Sequence, residues 1–543
     1  MSVLGGSADL AATTLVVEAS ADPFGHTSAS VYETARLVAL APWLNGHAQR
    51  VRFLLTSQRA DGGWGGQDGY GLVPALSAVD ALCTVLRGPE VPGVPRGKVA
   101  TAVHNGLSRL FDWLRPGTAE VLPDTIAVEI IVPALIEDLN RQLDLLVRQP
   151  VAGLQAWTGE ARLFTPEGAD HELLARLRQA VQEGHVLPEK MWHTLEALGP
   201  AIRGAEFVRP VNGSVACSPA ATAAWLGDPP APGAGESVRH LEKVQERFGG
   251  PVPVGVPVNI MESAWILSTL VSSGLDVDVP DRLVRTLHAA FGESGTSVGA
   301  GLTPDADDTA TALYALALVD SARSPDCLAT YWEGTHFSTF PSERTPSTTT
   351  NAHAVQALGA LTAAGRPQGA PLDKALGTVV SWLREQQEPD GSWQDKWHAS
   401  RYYATLCCAL AMAEHGGETA RPAVTKAVRW VLDSQRENGS WGRWSGTYEE
   451  TAYAVRLLLT AERHAGHTLS ELDDEIVGAA TRGYAFLLCS EGDADAPHLW
   501  HDKDLYTPIR MVRAEGMAAQ HLARSDPRIA AMADEPSRTA ETA

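Results

Sequence analysis

The chain has 543 residues, 44% hydrophobic and 20% charged, which supplies a large buried core and excludes a disordered, fibrous or small disulfide-bonded protein. Its 65 acidic and 43 basic residues give a formal charge of −22, so a nucleic-acid backbone would be repelled and no nucleic-acid partner is expected. A small anion remains compatible, because clustered Lys and Arg or a bridging divalent cation reverse the sign inside one pocket.

Residues 1–22 lack a basic stretch and carry Asp9 and Glu18, so neither a signal nor a transit peptide is expected. At Phe53-Leu54, Gln58, Gly62 and Trp64 a pattern begins that returns at Trp382-Leu383, Gln387, Gly391, Trp393 and at Trp430-Val431, Gln435, Gly439, Trp441. In each copy Gly supplies a turn, Trp packs back over it, and Gln is placed to bond the freed backbone groups. The 48 residues from Trp382 to Trp430 fit one helix hairpin per repeat, hence stacked helices closing into an α/α barrel. Phe486-Leu487 reads as a degenerate fourth copy with its Trp displaced to Trp500. Between the turns Ala and Leu recur with helical period, as at Ala310, Leu313 and Ala317, while the Pro- and Gly-rich stretches 87–97, 227–235 and 249–257 read as loops. Two helical domains are expected. The longest apolar runs, such as 311–319, fall short of the roughly 20 residues a membrane span needs. Six scattered cysteines (Cys83, Cys217, Cys327, Cys407, Cys408, Cys489) without paired ligand spacing read as reduced thiols in a cytoplasmic protein.

Asp305-Ala306-Asp307-Asp308 places three carboxylates in four residues at the head of an apolar helix. Like charges this close raise at least one pKa, so a proton is retained. A carboxylic acid kept protonated in an apolar chamber is what protonation of an alkene requires. The same acids also read as an N-cap with first-turn acids favoured by the helix dipole.

This block, with its Thr309-Ala310, and the Gln/Trp repeats resemble the class II terpene cyclases, whose pattern is DxDD with the middle Asp as general acid. More family blocks recur in order. Residues 28–36 are similar to the Ser-x-Tyr-Asp-Thr-Ala-Trp block, with Glu33 for Asp and Arg36 for Trp; 124–133 resemble a γ-domain block. Asn212-Gly213-Ser214 with 218–223, Thr350-Asn351-Ala352-His353, Asp395-Lys396-Trp397-His398, 446–452 and 503–508 look like further ones. The likeness spans about residues 28–512, and the combination is what makes it specific.

The resemblance implies an all-α fold of two α/α barrels, the βγ architecture, with the active site between them. Residues 1–24 would begin the β domain, 25–205 form the inserted γ domain, 206–530 the β domain with the DxDD motif, and 531–543 a disordered tail. Asp307 would protonate the terminal alkene of geranylgeranyl diphosphate, giving a bicyclic copalyl-type diphosphate with the diphosphate retained. Farnesyl diphosphate to a drimenyl-type product, a squalene–hopene-type cyclase, and a non-catalytic toroid scaffold are the alternatives. Asp305 and Asp308 would tune the acid, and Asn351 matches a family Asn that hydrogen-bonds it. Lys396 occupies the position of a family Lys that meets the diphosphate. Mg²⁺ would assist binding without ionising the substrate, with Glu129 as a candidate ligand. Trp265, Tyr403, Trp444 and Tyr506 are candidate walls for a cationic polyene. Val254 stands where the plant enzymes carry an Asn that helps hold a water base, so the terminating base is not transferred. Asp473-Asp474-Glu475, followed by Ile476-Val477, breaks the metal motif of an ionising synthase. The expected partners are the small-molecule substrate and a separate class I synthase or phosphatase for the product; a homodimer stays open, and no stable membrane insertion is expected.

Overall fold

The computed structural model describes residues 3–115, 122–230, 233–366, 369, 372–490 and 496–530. The tail expected at 531–543 lies outside them. The Gly-x-Trp turns are built as the repeats require. Gly62, Gly391 and Gly439 hold φ of +88°, +101° and +84°, and a Cβ on each would stand 2.7, 2.5 and 2.7 Å from a backbone oxygen of Asn105, Lys426 and Arg482. Both the dihedral and the close approach therefore demand glycine. Gln58 Nε2 donates to Gly62 O and Ala102 O, Gln387 Nε2 to Gly391 O and Ala423 O, and Gln435 Nε2 to Gly439 O and Ala479 O. The buried indoles of Trp64, Trp393 and Trp441 donate to the carbonyls of Leu54, Leu383 and Val431 at 2.7, 2.8 and 2.7 Å. Each motif thus ties the end of one helix to the next outer helix. Trp500, the displaced fourth Trp, does something else: it lies in a two-residue strand and donates to Glu449.

In chain order the first helices are α1 (Val3–Ala21), α2 (Val31–Leu40), α3 (His47–Thr56), α4 (Leu72–Arg87), α5 (Arg96–Trp113), α6 (Val128–Arg148), α7 (His171–Gln182), α8 (Pro219–Leu226) and α9 (Gly235–Glu246). There follow α10 (Asn259–Ser272), α11 (Asp281–Ala290), α12 (Ala306–Leu318), α13 (Thr348–Ala363), α14 (Ala375–Glu385), α15 (Arg401–His415), α16 (Arg421–Asp433), α17 (Tyr448–Ala465), α18 (Asp473–Ser490) and α19 (Ile509–Ser525). The only strands among the described residues are β1 (Trp500–His501) and β2 (Leu505–Tyr506), paired antiparallel.

Two closed rings result. Helices α10, α12, α13, α15, α17 and α19 each pack on the next, and α19 returns to α10, with α11, α14, α16, α18 and α1 outside. Helices α2, α4, α6, the 3₁₀ segment Glu189–Ile202 and α8 close a second ring, with α3, α5 and α7 outside. Inner helices such as α12 and α13 are buried nearly all round, whereas outer ones such as α16 bury one stripe. The core of the second ring draws on residues between Tyr32 and Ala224, and that of the first on α1 and on residues from Val254 to Ile529. The fold is an all-α double barrel.

In the six-helix ring, the N-terminal ends of the inner helices are tied side to side. Thr339, whose carbonyl accepts from Ala306 N, shares a hydroxyl hydrogen bond with Thr350 of α13. The α13 cap Ser347 donates to Asp395 ahead of α15, and the α15 cap Ser400 donates to Glu450 of α17. The start of α12, which carries the three acids, therefore opens at the same end of the barrel as the starts of α13, α15 and α17.

Candidate active site

Asp305 is the N-cap of α12: its backbone is extended (φ −140°, ψ 165°) and its Oδ1 accepts from Asp308 N at 2.8 Å. The cap and the acid cluster are one structure with different members. Asp305 and Asp308 are 4% exposed, while the Asp307 side chain keeps 17%. Burial, with a contribution from the Asp307 charge, pushes Asp305 up to about 7. Burial and then the Asp305 charge push Asp308 well above the carboxylate range, and its Oδ1 has no hydrogen-bond partner. Asp307 is thus the one acid of the three that reaches open space.

Asp307 Oδ1 lies 2.7 Å from Nδ1 of His353 on α13. Burial pulls the imidazole down, but the adjacent Asp307 carboxylate outweighs it and raises His353 to about 10. The expected partner, Asn351, is not the one used. Its Oδ1 accepts from Phe337 N, and its Nδ2 donates to Phe337 O and Ser347 O, so it fixes the loop before α13. Residues two apart on a helix face about 200° apart, so Asn351 and His353 could not both address Asp307. His353 stands in the Thr-Asn-Ala-His block, and only the helical phase, not the residue types, picks it out.

An aromatic wall continues from this pair. The His353 ring meets Trp265 of α10 edge-on at 5.2 Å, and Trp265 Nε1 donates to Tyr403 OH at 3.0 Å. Tyr403 of α15 packs against His398, Trp500 and Tyr453 at 4.7, 4.8 and 5.3 Å, and Trp500 reaches Tyr506 at 6.4 Å. Three expected residues, Trp265, Tyr403 and Tyr506, therefore share one surface, to which the structure adds Trp500, Tyr453 and His398. Trp444 does not belong to it. Its indole is partly exposed, donates to Asp68 of the other barrel and carries Arg443 on its face, because the turn before α17 points it at the seam.

Lys396 precedes α15 and donates to Glu343 Oε2 and to Thr345 O, with its ammonium 5.0 Å from the Trp397 ring. Glu343 also accepts from Thr339 N, on the loop against the head of α12. The next residue, Arg344, lies 3.5 Å from Glu129 in the first turn of α6. One loop thus gathers Lys396 and Glu129 from the two barrels. No cluster of three or more His, Cys, Asp or Glu suited to a cation occurs among the described residues. Glu129, partly exposed and beside Arg344, fits only the mode in which a diphosphate supplies most of the oxygen ligands of Mg²⁺ and one carboxylate adds another.

At the barrel seam a second buried ionic group surrounds Lys503. Its Nζ contacts Glu33 Oε1 at 2.5 Å, Glu196 Oε1 at 2.8 Å and Ser218 Oγ at 2.7 Å, with side-chain exposures of 0% for Lys503 and Glu33. Asp504 accepts from Ser30 Oγ and Tyr32 N, and His193 lies 3.1 Å from Asp502. The N-terminal Glu33 and the C-terminal Lys503 blocks meet here.

A family profile described as the squalene-hopene cyclase C-terminal domain matches residues 344–508. The chain is 47% identical over 528 residues to the ent-copalyl diphosphate synthase of Streptomyces sp. (strain KO-3988), covering 95% of this chain and 97% of that one. It is 40% identical to the copalyl diphosphate synthase of Streptomyces cyslabdanicus, covering 94% of each. The solved ent-copalyl diphosphate synthase from Streptomyces platensis superposes with a TM-score of 0.89 at 44% identity, covering 95% of this chain and 99% of that one. The chain belongs to the class II terpene cyclases, isomerase-type enzymes. No described helix is long and apolar enough to cross a membrane.

Proposed function

We propose that the enzyme cyclises geranylgeranyl diphosphate to a bicyclic copalyl-type diphosphate in the cytoplasm, with the diphosphate kept on the product for a class I synthase or a phosphatase. The observation that carries this reading is the Asp307–His353 pair opening onto the aromatic wall. Asp307 is the general acid. With Oδ1 held by His353, its proton leaves from Oδ2 toward the terminal alkene. The ion pair of His353 with the Asp307 carboxylate is the state left after transfer, which makes proton release less costly, and Asp307 takes up a proton on Oδ2 before the next turnover. Asp308, and Asp305 in part, are kept neutral by burial and so add less negative charge that would hold the proton back. Trp265, Tyr403 and Tyr506 offer faces to the migrating cation and exclude water from it.

The diphosphate lies against Lys396 and Arg344, which requires Glu343 to yield its place on the Lys396 ammonium. Glu129 would hold Mg²⁺, which would supply neutralisation of the diphosphate charge. Length and retained diphosphate follow the named activities of the two Streptomyces relatives. The test is incubation with geranylgeranyl and farnesyl diphosphate separately, then phosphatase treatment and identification of the alcohols. A bicyclic C20 alcohol is expected. Release of inorganic diphosphate with a hydrocarbon overturns the mechanism, and a C15 product alone overturns the substrate.

A further inference from the structure

The six-helix ring has an opposite wall. Going round it in order, α12 and α17 are three places apart, so Asp307 in the first turn of α12 faces the first turn of α17 across the barrel. That turn holds two buried glutamates with opposite fates. Glu450 is saturated: Ser400 Oγ and Arg443 N donate to Oε1, and Thr447 Oγ1 to Oε2. Glu449, 5% exposed, has three donors converging on Oε1 alone, namely Trp500 Nε1 at 2.8 Å, Tyr453 OH at 2.9 Å and His398 Nε2 at 3.2 Å. Its Oε2 takes no hydrogen bond, and no Lys or Arg pairs with it among the described residues.

These three donors are the aromatic neighbours of Tyr403, so one unbroken surface runs from Asp307 through His353, Trp265 and Tyr403 to Glu449. His398 Nδ1 meets Ser400 N at 3.0 Å and Ser400 O at 3.2 Å, and Nε2 lies 3.2 Å from Glu449, so both ring nitrogens are engaged. Tyr506, whose phenol is pushed up by burial and then by the charges of Asp502, Asp308 and Glu449, feels acids from both sides. A carboxylate with one oxygen anchored and the other free, opposite the acid that starts the reaction, suits the step that ends it.

Resting on the cyclase reading above, we infer that Glu449 accepts the terminating proton. A C–H bond next to the bicyclic tertiary cation breaks, its electron pair becomes the new C=C bond, and the proton goes to Oε2. Asp307 has given one proton and Glu449 has taken one, so the substrate formula is unchanged and both groups reset by exchange with solvent. The negative charge also attracts the cation toward the aromatic wall.

The test is Glu449→Gln with geranylgeranyl diphosphate, read by kcat and by product identity after phosphatase treatment. The amide keeps an acceptor for the three donors but is a far weaker base. Turnover should fall by about 10²-fold, and the product should spread to hydroxylated or isomeric bicycles, because a cation without its base is captured by water or loses a different proton. Glu450→Gln should leave product identity unchanged. A single unchanged alkene from Glu449→Gln, at any rate, overturns the assignment, since a merely structural role would slow the enzyme without redirecting the proton. Should that variant fail to fold, Glu449→Ala, which also removes the base, is read by the same criterion. If the wild type itself yields no cyclic diphosphate, the cyclase reading fails, which is distinct from failure of the Glu449 assignment.

Discussion

Two of the places where the protein buries ionisable groups are built differently. At the seam around Lys503, one ammonium meets two carboxylates and a hydroxyl, and Asp504 and Asp502 have their own donors. At the head of α12, only Asp307 of the three acids meets an imidazole, Asp305 caps the helix, and Asp308 Oδ1 has no partner. At the seam the Lys503 ammonium counters the buried acids and ties the barrels together, although Glu196 Oε2 has no hydrogen-bond partner; at α12 no Lys or Arg pairs with the acids among the described residues. Burial alone does not separate structural from chemical roles. What separates them is whether a permanent cation stands among the acids.

The comparison breaks first at its chemical end. Asp307→Asn should lower turnover by at least about 10³-fold, since an isosteric amide has no proton to give, while the melting temperature stays close to wild type. Product analysis with a folded-state control checks this, and residual cyclisation near the wild-type rate would sink the role of Asp307. At the seam the outcome should invert. Lys503→Ala leaves Glu33 and Glu196 buried together without their cation and should cost about 3–5 kcal/mol of stability by denaturant unfolding. Loss of activity without loss of stability there would place Lys503 in the chemistry instead.

His353→Phe keeps the ring volume but removes the bond to Asp307, and kcat should fall about 10²-fold with KM little changed. His353 has its folded value raised to about 10, so its stabilisation is full below about 6.5 and is lost as pH rises through 10. The stability gap between wild type and His353→Phe should close across that window, and a flat gap would contradict a charged pair. The smallest effect concerns Asp305. Its folded value is raised to about 7, so the protonated form contributes below about 4 and that contribution is lost as pH rises through 7. Asp305→Asn retains the cap acceptor without titrating and should flatten this part of the pH–stability curve. Thermal melts of both proteins between pH 4 and 8 decide it.

The sequence by itself determined the barrel units. Gly-x-Trp with an upstream Gln is local chemistry: a positive φ, an indole donor and an amide that bridges two carbonyls all act within or just beyond one turn. It also determined the acid cluster, because adjacent carboxylates repel wherever they are buried. Trp500 misled as a repeat because its role is set by a hairpin and by Glu449, which lies 51 residues away. Asn351 misled for a subtler reason, since the block that carries it also carries His353 and only the helical phase decides which one meets Asp307. Trp444 could not be placed without knowing which way the turn before α17 faces. Tertiary structure alone decided that α12 and α17 stand opposite each other, that Glu343 and Arg344 bring Lys396 and Glu129 to one loop, and that Lys503 closes on Glu33 across 470 residues. Local rules fix what a residue can bond to; ring closure fixes which partner is there, because it places side by side segments that are far apart in the chain.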